Sequence, residues 1–143
     1  MLLQLLCAWL LLAVTVTIHA AGLAFVLRAL DRPATPRDLQ YWAVTWLLVR
    51  VAWAFIVLHL VEIAVWALFY IWQHCLPDAE SAFYFSGVTY TTVGYGDLVL
   101  PVEWRLLSAV EGLTGILMCG LSTGLFFAIA SKSLTTRRRV ARP

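Results

Sequence analysis

Residues 91–97 read Thr91-Thr92-Val93-Gly94-Tyr95-Gly96-Asp97. A backbone can aim successive carbonyl oxygens to one side only if its residues alternate between left- and right-handed dihedrals. Gly94 and Gly96 accept positive φ at little cost, so this run is chemically suited to that alternation. Just upstream, residues 79–91 read as a short helix. Pro77 stops what precedes it, Asp78 is a good N-cap, and Glu80 complements the positive helix end. Thirteen residues make about 20 Å of helix, too short to cross a bilayer core of about 30 Å. Such a helix should dip in from one side and stop midway. Its C-terminal carbonyls would then carry partial negative charge toward the bilayer centre, where a cation is favoured.

The surrounding chain supports a membrane setting. Of 143 residues, 62% are hydrophobic and only 13% are charged, well away from the balance of soluble domains. Three apolar stretches reach spanning length. The first, at residues 2–27 within an N-terminal segment 1–30, gives about 39 Å of helix. No Lys or Arg precedes Arg28, so the basic start of a cleaved secretory signal is missing and a retained span is the first expectation, with cleavage at the small residues 20–22 as the alternative. A break at 31–40 follows, with Pro33, Pro36 and four charges. The second span covers 41–72 and carries aromatic residues at both ends, where the membrane interfaces would lie. It is long for a bilayer, so tilt or projection into water is expected, with Arg50 snorkelling toward the inner surface. The third covers 104–131 and runs into a basic tail at 132–143 that carries Lys132, Arg137, Arg138, Arg139 and Arg142. The positive-inside rule sets that tail and the 31–40 break in the cytoplasm, and the amino terminus and residues 73–103 outside. The basic tail directly follows an apolar segment, so it reads as a membrane flank and not as a nucleic-acid contact.

The run 91–97 resembles the selectivity filter of potassium channels. The likeness extends from about residue 59 to 105 and more loosely along the last span. It is similar to the small bacterial potassium channels of the two-helix pore class, with one additional span in front. The resemblance implies an all-α integral membrane fold: an outer helix at 41–72, a pore helix at 79–91, a filter at 92–96 and an inner helix at 104–131, all within a pore domain at 41–131. It implies that carbonyls of Thr92, Val93, Gly94 and Tyr95 coordinate K+, that the Thr92 hydroxyl completes the innermost site, and that Val93 and Tyr95 side chains brace the filter. Gly96 completes the filter, with Thr91, Asp97 and Val88 as its supports. One loop supplies a quarter of each oxygen ring, so a fourfold homotetramer is implied, in a bacterial inner membrane. Two departures stand out. Some relatives place a glutamate where this chain has Val88, so a carboxyl pair with Asp97 is unavailable. Many carry two tryptophans around Tyr84 and Phe85, and Phe85 cannot bond the filter tyrosine.

Other features have two readings each. His59 and Glu62 share a helix face, and Glu111 lies seven residues into the third span. Intramembrane carboxylates mark either a hydrogen-bonded clamp between the helices or a proton sensor. Gly115 resembles the hinge of channel inner helices, while Gly120 and Gly124 have the spacing of close helix contacts. Ile116, Cys119, Thr123 and Phe127 would line an inner cavity if the helical phase of relatives holds. Cys7 and Cys119 read as inert small hydrophobes and Cys75 as a free thiol. Nothing in the sequence singles out His19 or His74. No span carries basic residues every third position, as a voltage sensor would. The tail is too short for a ligand-binding domain. No catalytic motif and no cofactor fingerprint is found, so K+ as permeant ion, the lipid bilayer and further copies of the chain are the expected partners, and no enzyme is expected. Two rival readings are a weakly selective cation channel and a non-conducting subunit that modulates another channel.

Overall fold

The computed structural model describes residues 2–30 and 41–140, with side chains for 2–30 and 42–135. The polar break at 31–40 and Arg142 lie outside the described residues, as do the side chains of Arg137, Arg138 and Arg139. Four helices follow in order: α1 Leu2–Leu30, α2 Tyr41–Trp72, α3 Ala79–Tyr90 and α4 Arg105–Val140. No strand occurs among the described residues. α1, α2 and α4 are each long and apolar enough to cross a membrane, and α3 is not. Large apolar side chains stand exposed along these helices, among them Trp9, Leu10, Phe25, Trp42, Trp46 and Trp53. That much exposed apolar surface is untenable in water and ordinary against lipid, where every backbone group must already be bonded within a helix. The chain is an integral membrane protein.

The helix ends follow local chemistry. α2 stops where His74 turns to φ 51, and the N–H of Cys75 returns to the carbonyl of Tyr70 at 3.0 Å. This left-handed closure is normally a glycine's work, so His74 holds a conformation its side chain disfavours. α3 begins at Asp78, whose Oδ1 accepts from the Ser81 N–H at 2.7 Å. α4 continues to Val140, nine residues past the end expected at Ser131. Residues 132–140 contain neither Gly nor Pro, and Lys and Arg are good helix formers that suit a helix C-terminus. Basic character alone therefore did not end the helix.

Two apolar clusters fix the arrangement. In one, Ala8 and Leu11 of α1 pack with Trp66, Ala67 and Tyr70 of α2, Phe85 and Tyr90 of α3, and Leu107 and Met118 of α4. In the other, Val26 of α1 meets Val51 and Phe55 of α2 and Ile129 of α4. α1 thus runs antiparallel to α2, seated against α2 and α4 of its own chain. Its N-terminus shares an end of the bundle with the 73–103 segment. Its C-terminus lies with the start of α2 and the end of α4. α3 packs between α2 and α4.

Candidate functional site

α3 has 12 residues, about 18 Å of helix. Its last residue, Tyr90, is buried and its hydroxyl donates to Glu62, ten residues before the end of α2. That places the end of α3 about 15 Å along α2 from Trp72, inside the bundle. Space there is tight. A Cβ built on Gly115 of α4 would overlap the Tyr90 carbonyl oxygen and lie 2.8 Å from its carbon. Glycine at 115 is therefore required for α4 to reach the end of α3, which gives it a packing role in this structure.

Beyond Tyr90 the chain leaves the helix by an ordered route. Thr91 Oγ1 donates to the Gly87 carbonyl at 2.7 Å, and the Thr92 N–H reaches the Thr89 carbonyl at 2.9 Å. The N–H groups of Val93 and Gly94 both donate to the Val88 carbonyl, at 3.0 and 3.2 Å. Val88 supports the loop through its main chain, a contact that its side-chain identity does not reveal. Positive φ then falls on every second residue: Thr92 at 61°, Gly94 at 55° and Gly96 at 78°. The alternation covers one residue more than the glycines mark. A β-branched residue in this region is costly, of order 1–3 kcal/mol, and persists only where its surroundings over-determine it. Residues 91–97 stand exposed, including the side chains of Val93 and Tyr95. At the far end, Asp97 Oδ2 accepts from the Tyr84 hydroxyl at 2.7 Å and Oδ1 from the Leu98 N–H at 3.1 Å. The Tyr84 hydroxyl bond holds the Asp97 carboxyl below the usual aspartate range. Tyr84 supplies to Asp97 the partner that Val88 does not.

Two buried polar centres lie behind the loop, where the sequence reading had one clamp. Around Glu111, Tyr70 of α2 donates to Oε2 at 2.7 Å, and Ser86 Oγ of α3 lies 2.5 Å from Oε1. Ser86 Oγ is also 2.9 Å from the Ile63 carbonyl. Around Glu62, His19 Nδ1 lies 2.8 Å from Oε1 and His59 Nδ1 3.1 Å from Oε2, with the Tyr90 hydroxyl on the same side. His19 is the residue that sequence reasoning missed. It is buried, and its Nε2 faces Ser122 Oγ of α4 at 3.5 Å. One turn earlier on α1, Thr15 accepts from Trp66 Nε1 at 3.1 Å. The available signal was the four-residue spacing of Thr15 and His19, which aligns two polar side chains on one face of a largely apolar helix.

On α4, Ile116, Cys119, Thr123 and Phe127 are all exposed along one stripe. Gly120 and Gly124 lie beside it, and no atom of another element comes within 4 Å of where their Cβ atoms would sit. Among the described residues of the chain they make no close helix contact.

Three helices long and apolar enough to span a membrane, packed around a short helix that ends inside the bundle, define an all-α integral membrane protein. A family model described as ion channel matches residues 56–132, more than half of the chain. The chain belongs to that ion channel family. The match runs from the middle of α2 into α4 and leaves out α1. Searches of curated proteins and of solved structures returned no match.

Proposed function

We propose that this chain is one subunit of a potassium-selective channel and that four copies close a single pore around the 92–96 loop. The observation that carries this reading is the left-handed backbone at residues 92, 94 and 96, directly after a helix that stops inside the bundle. Such alternation turns successive carbonyls to one side. In four copies, the oxygens of Thr92, Val93, Gly94 and Tyr95 form stacked rings that replace the water shell of K+, with the Thr92 hydroxyl at the innermost ring. The C-terminus of α3 contributes the negative end of its dipole below them. Asp97 and Tyr84 hold the outer end. The exposed stripe through Ile116, Cys119, Thr123 and Phe127 lines the inner cavity. The basic end of α4 faces the cytoplasm of a bacterial cell and the amino terminus faces out, following the distribution of Lys and Arg.

The weakly selective reading lacks support from Tyr95, a residue that relaxed pores of this kind often replace. A silent modulatory subunit would have no use for both Gly94 and Gly96. Purified protein in liposomes with a potassium gradient tests all three readings. Potassium flux with a reversal potential that follows K+ and ignores Na+ is expected. Reversal midway between the two ions would establish a non-selective pore, and no flux from well-folded, correctly inserted protein would leave only the modulatory role.

A further inference from the structure

We propose that His19, His59 and Glu62 form a binding site for a zinc-class transition-metal ion that fastens α1 to the channel's own helices. Their ligand atoms, one each, all lie within 4.8 Å of one another, and this is the one such group among the described residues. The inference rests on these contacts and not on potassium selectivity.

The spacing has the form that helical bundles use for metal. His59 and Glu62 are three apart on α2 and project from one face, and the facing helix α1 supplies His19. Two donors on a tetrahedral zinc, each about 2.0–2.1 Å from it, stand roughly 3.3 Å apart. Here the two histidines face different oxygens of the carboxylate, His19 Nδ1 at 2.8 Å from Oε1 and His59 Nδ1 at 3.1 Å from Oε2, so an ion on both nitrogens and one oxygen draws together ligand atoms that already lie within 4.8 Å of one another. The Tyr90 hydroxyl, 3.1 Å from His59 Nδ1, offers a fourth donor atom. Two imidazoles with a carboxylate suit zinc and its neighbours. Calcium and magnesium want six or more oxygens, which this group lacks.

The outer contacts fit as well. A ligating histidine usually donates its other ring N–H to a fixed acceptor, which sets the ring's orientation. His19 has Ser122 Oγ opposite Nε2 at 3.5 Å. Without an ion, His19 donates from Nδ1 to Glu62. On binding, Nδ1 must present its lone pair, the ring proton sits on Nε2, and Ser122 accepts it. His59 is 19% exposed while His19 and Glu62 are buried, so His59 gives an ion its way in. A divalent cation also compensates the Glu62 carboxylate inside the membrane, where an unpaired charge is expensive. The simpler alternative is a hydrogen-bonded clip with no ion, and every buried side-chain N and O atom among the described residues already has a partner.

The two are separated by loading the full-length, detergent-solubilised protein with Zn2+ or Co2+ after chelator stripping. One ion per chain is expected, bound about tenfold or more weakly in His19→Gln and Glu62→Gln, with His74→Ala unchanged. Co2+ should give the visible bands of a four-coordinate nitrogen–oxygen site without a sulfur charge-transfer band, and this reading on the unaltered chain stands even where a variant fails to fold. No stoichiometric ion on the unaltered protein would leave the hydrogen-bonded clip alone. Equal loading of folded His19→Gln, loss on His74→Ala, or a thiolate band would each overturn the assignment.

Discussion

The decisive contacts at the residue scale involve backbone atoms that have no room or no alternative. Gly115 is held to glycine by the Tyr90 carbonyl, an atom that cannot swing aside. Gly115→Ala should destabilise the folded protein by about 1–3 kcal/mol, the range for overpacking a tight core. Gly120→Ala meets nothing among the described residues of the chain. Paired thermal unfolding in detergent checks this, with a lowered melting temperature expected for the first variant only. If Gly120→Ala instead dissociates an oligomer while each chain stays folded, that glycine packs between copies. The outer end of the loop is tied to α3 by the bond from Tyr84 to Asp97. That bond lowers the pKa of Asp97 and raises that of Tyr84, so its stabilisation is present at neutral pH. It is lost as acid protonates Asp97 below the usual aspartate range, and again only at strongly alkaline pH as Tyr84 ionises. Tyr84→Phe should therefore melt below the unaltered protein at neutral pH, with the gap closing on acidification. A gap that does not change down to strongly acidic pH would show that Asp97 is not the group served.

Among the elements, α3 and its two supports show what a sequence can and cannot reveal. The short helix, its Asp78 cap and the glycine pair were legible because caps, helix length and positive φ are local properties. The three spans were legible because twenty or more apolar residues leave few alternatives. The left-handed Thr92 was not, because threonine carries no local preference for it. Nor was the division of Glu62 and Glu111 into separate centres. Which hydroxyl reaches which carboxylate depends on how α2, α3 and α4 rotate against one another, and the nearly uniform apolar character of α1 conceals its inward face. His19 was overlooked for that reason. The Glu111 centre carries its own prediction. Ser86 has one hydroxyl proton and two acceptor neighbours, the Ile63 carbonyl and Glu111. The geometry closes if Ser86 donates to the carbonyl and Glu111 carries an acid proton directed at Ser86, with Tyr70 donating to the other oxygen. Glutamine reproduces that pattern and alanine leaves both hydroxyls without it. Glu111→Gln should fold with nearly unchanged stability, while Glu111→Ala should lose about 2–5 kcal/mol from the cavity and the orphaned groups. Equal losses in the two variants, measured by chemical or thermal unfolding, would mean that Glu111 is held as a carboxylate.

At the scale of the whole molecule, the question is what the exposed stripe of α4 faces. Lipid and a water-filled cavity make opposite demands on a hydrophilic reagent, and the chain carries its own reporter. Cys119 is exposed within the stripe beside Ile116 and Thr123, whereas Cys75 is buried in the cluster behind α3. If four chains surround a pore with α4 innermost, Cys119 looks onto the axis on the cytoplasmic side of the loop, four residues beyond the packed α3–α4 contact at Gly115. A positively charged, membrane-impermeant methanethiosulfonate added from that side should then modify Cys119 and reduce potassium current. Four adducts near one axis place several positive charges in a narrow, weakly screened space, where each opposes the passage of a cation. The effect should be absent in Cys119→Ser, retained when Cys7 and Cys75 are both replaced by serine, and slowed by a quaternary ammonium ion occupying the cavity. A stripe turned to lipid would give none of these, because the charged reagent cannot enter hydrocarbon. Current that persists unchanged in protein whose Cys119 is demonstrably modified would move the conduction path away from α4 altogether.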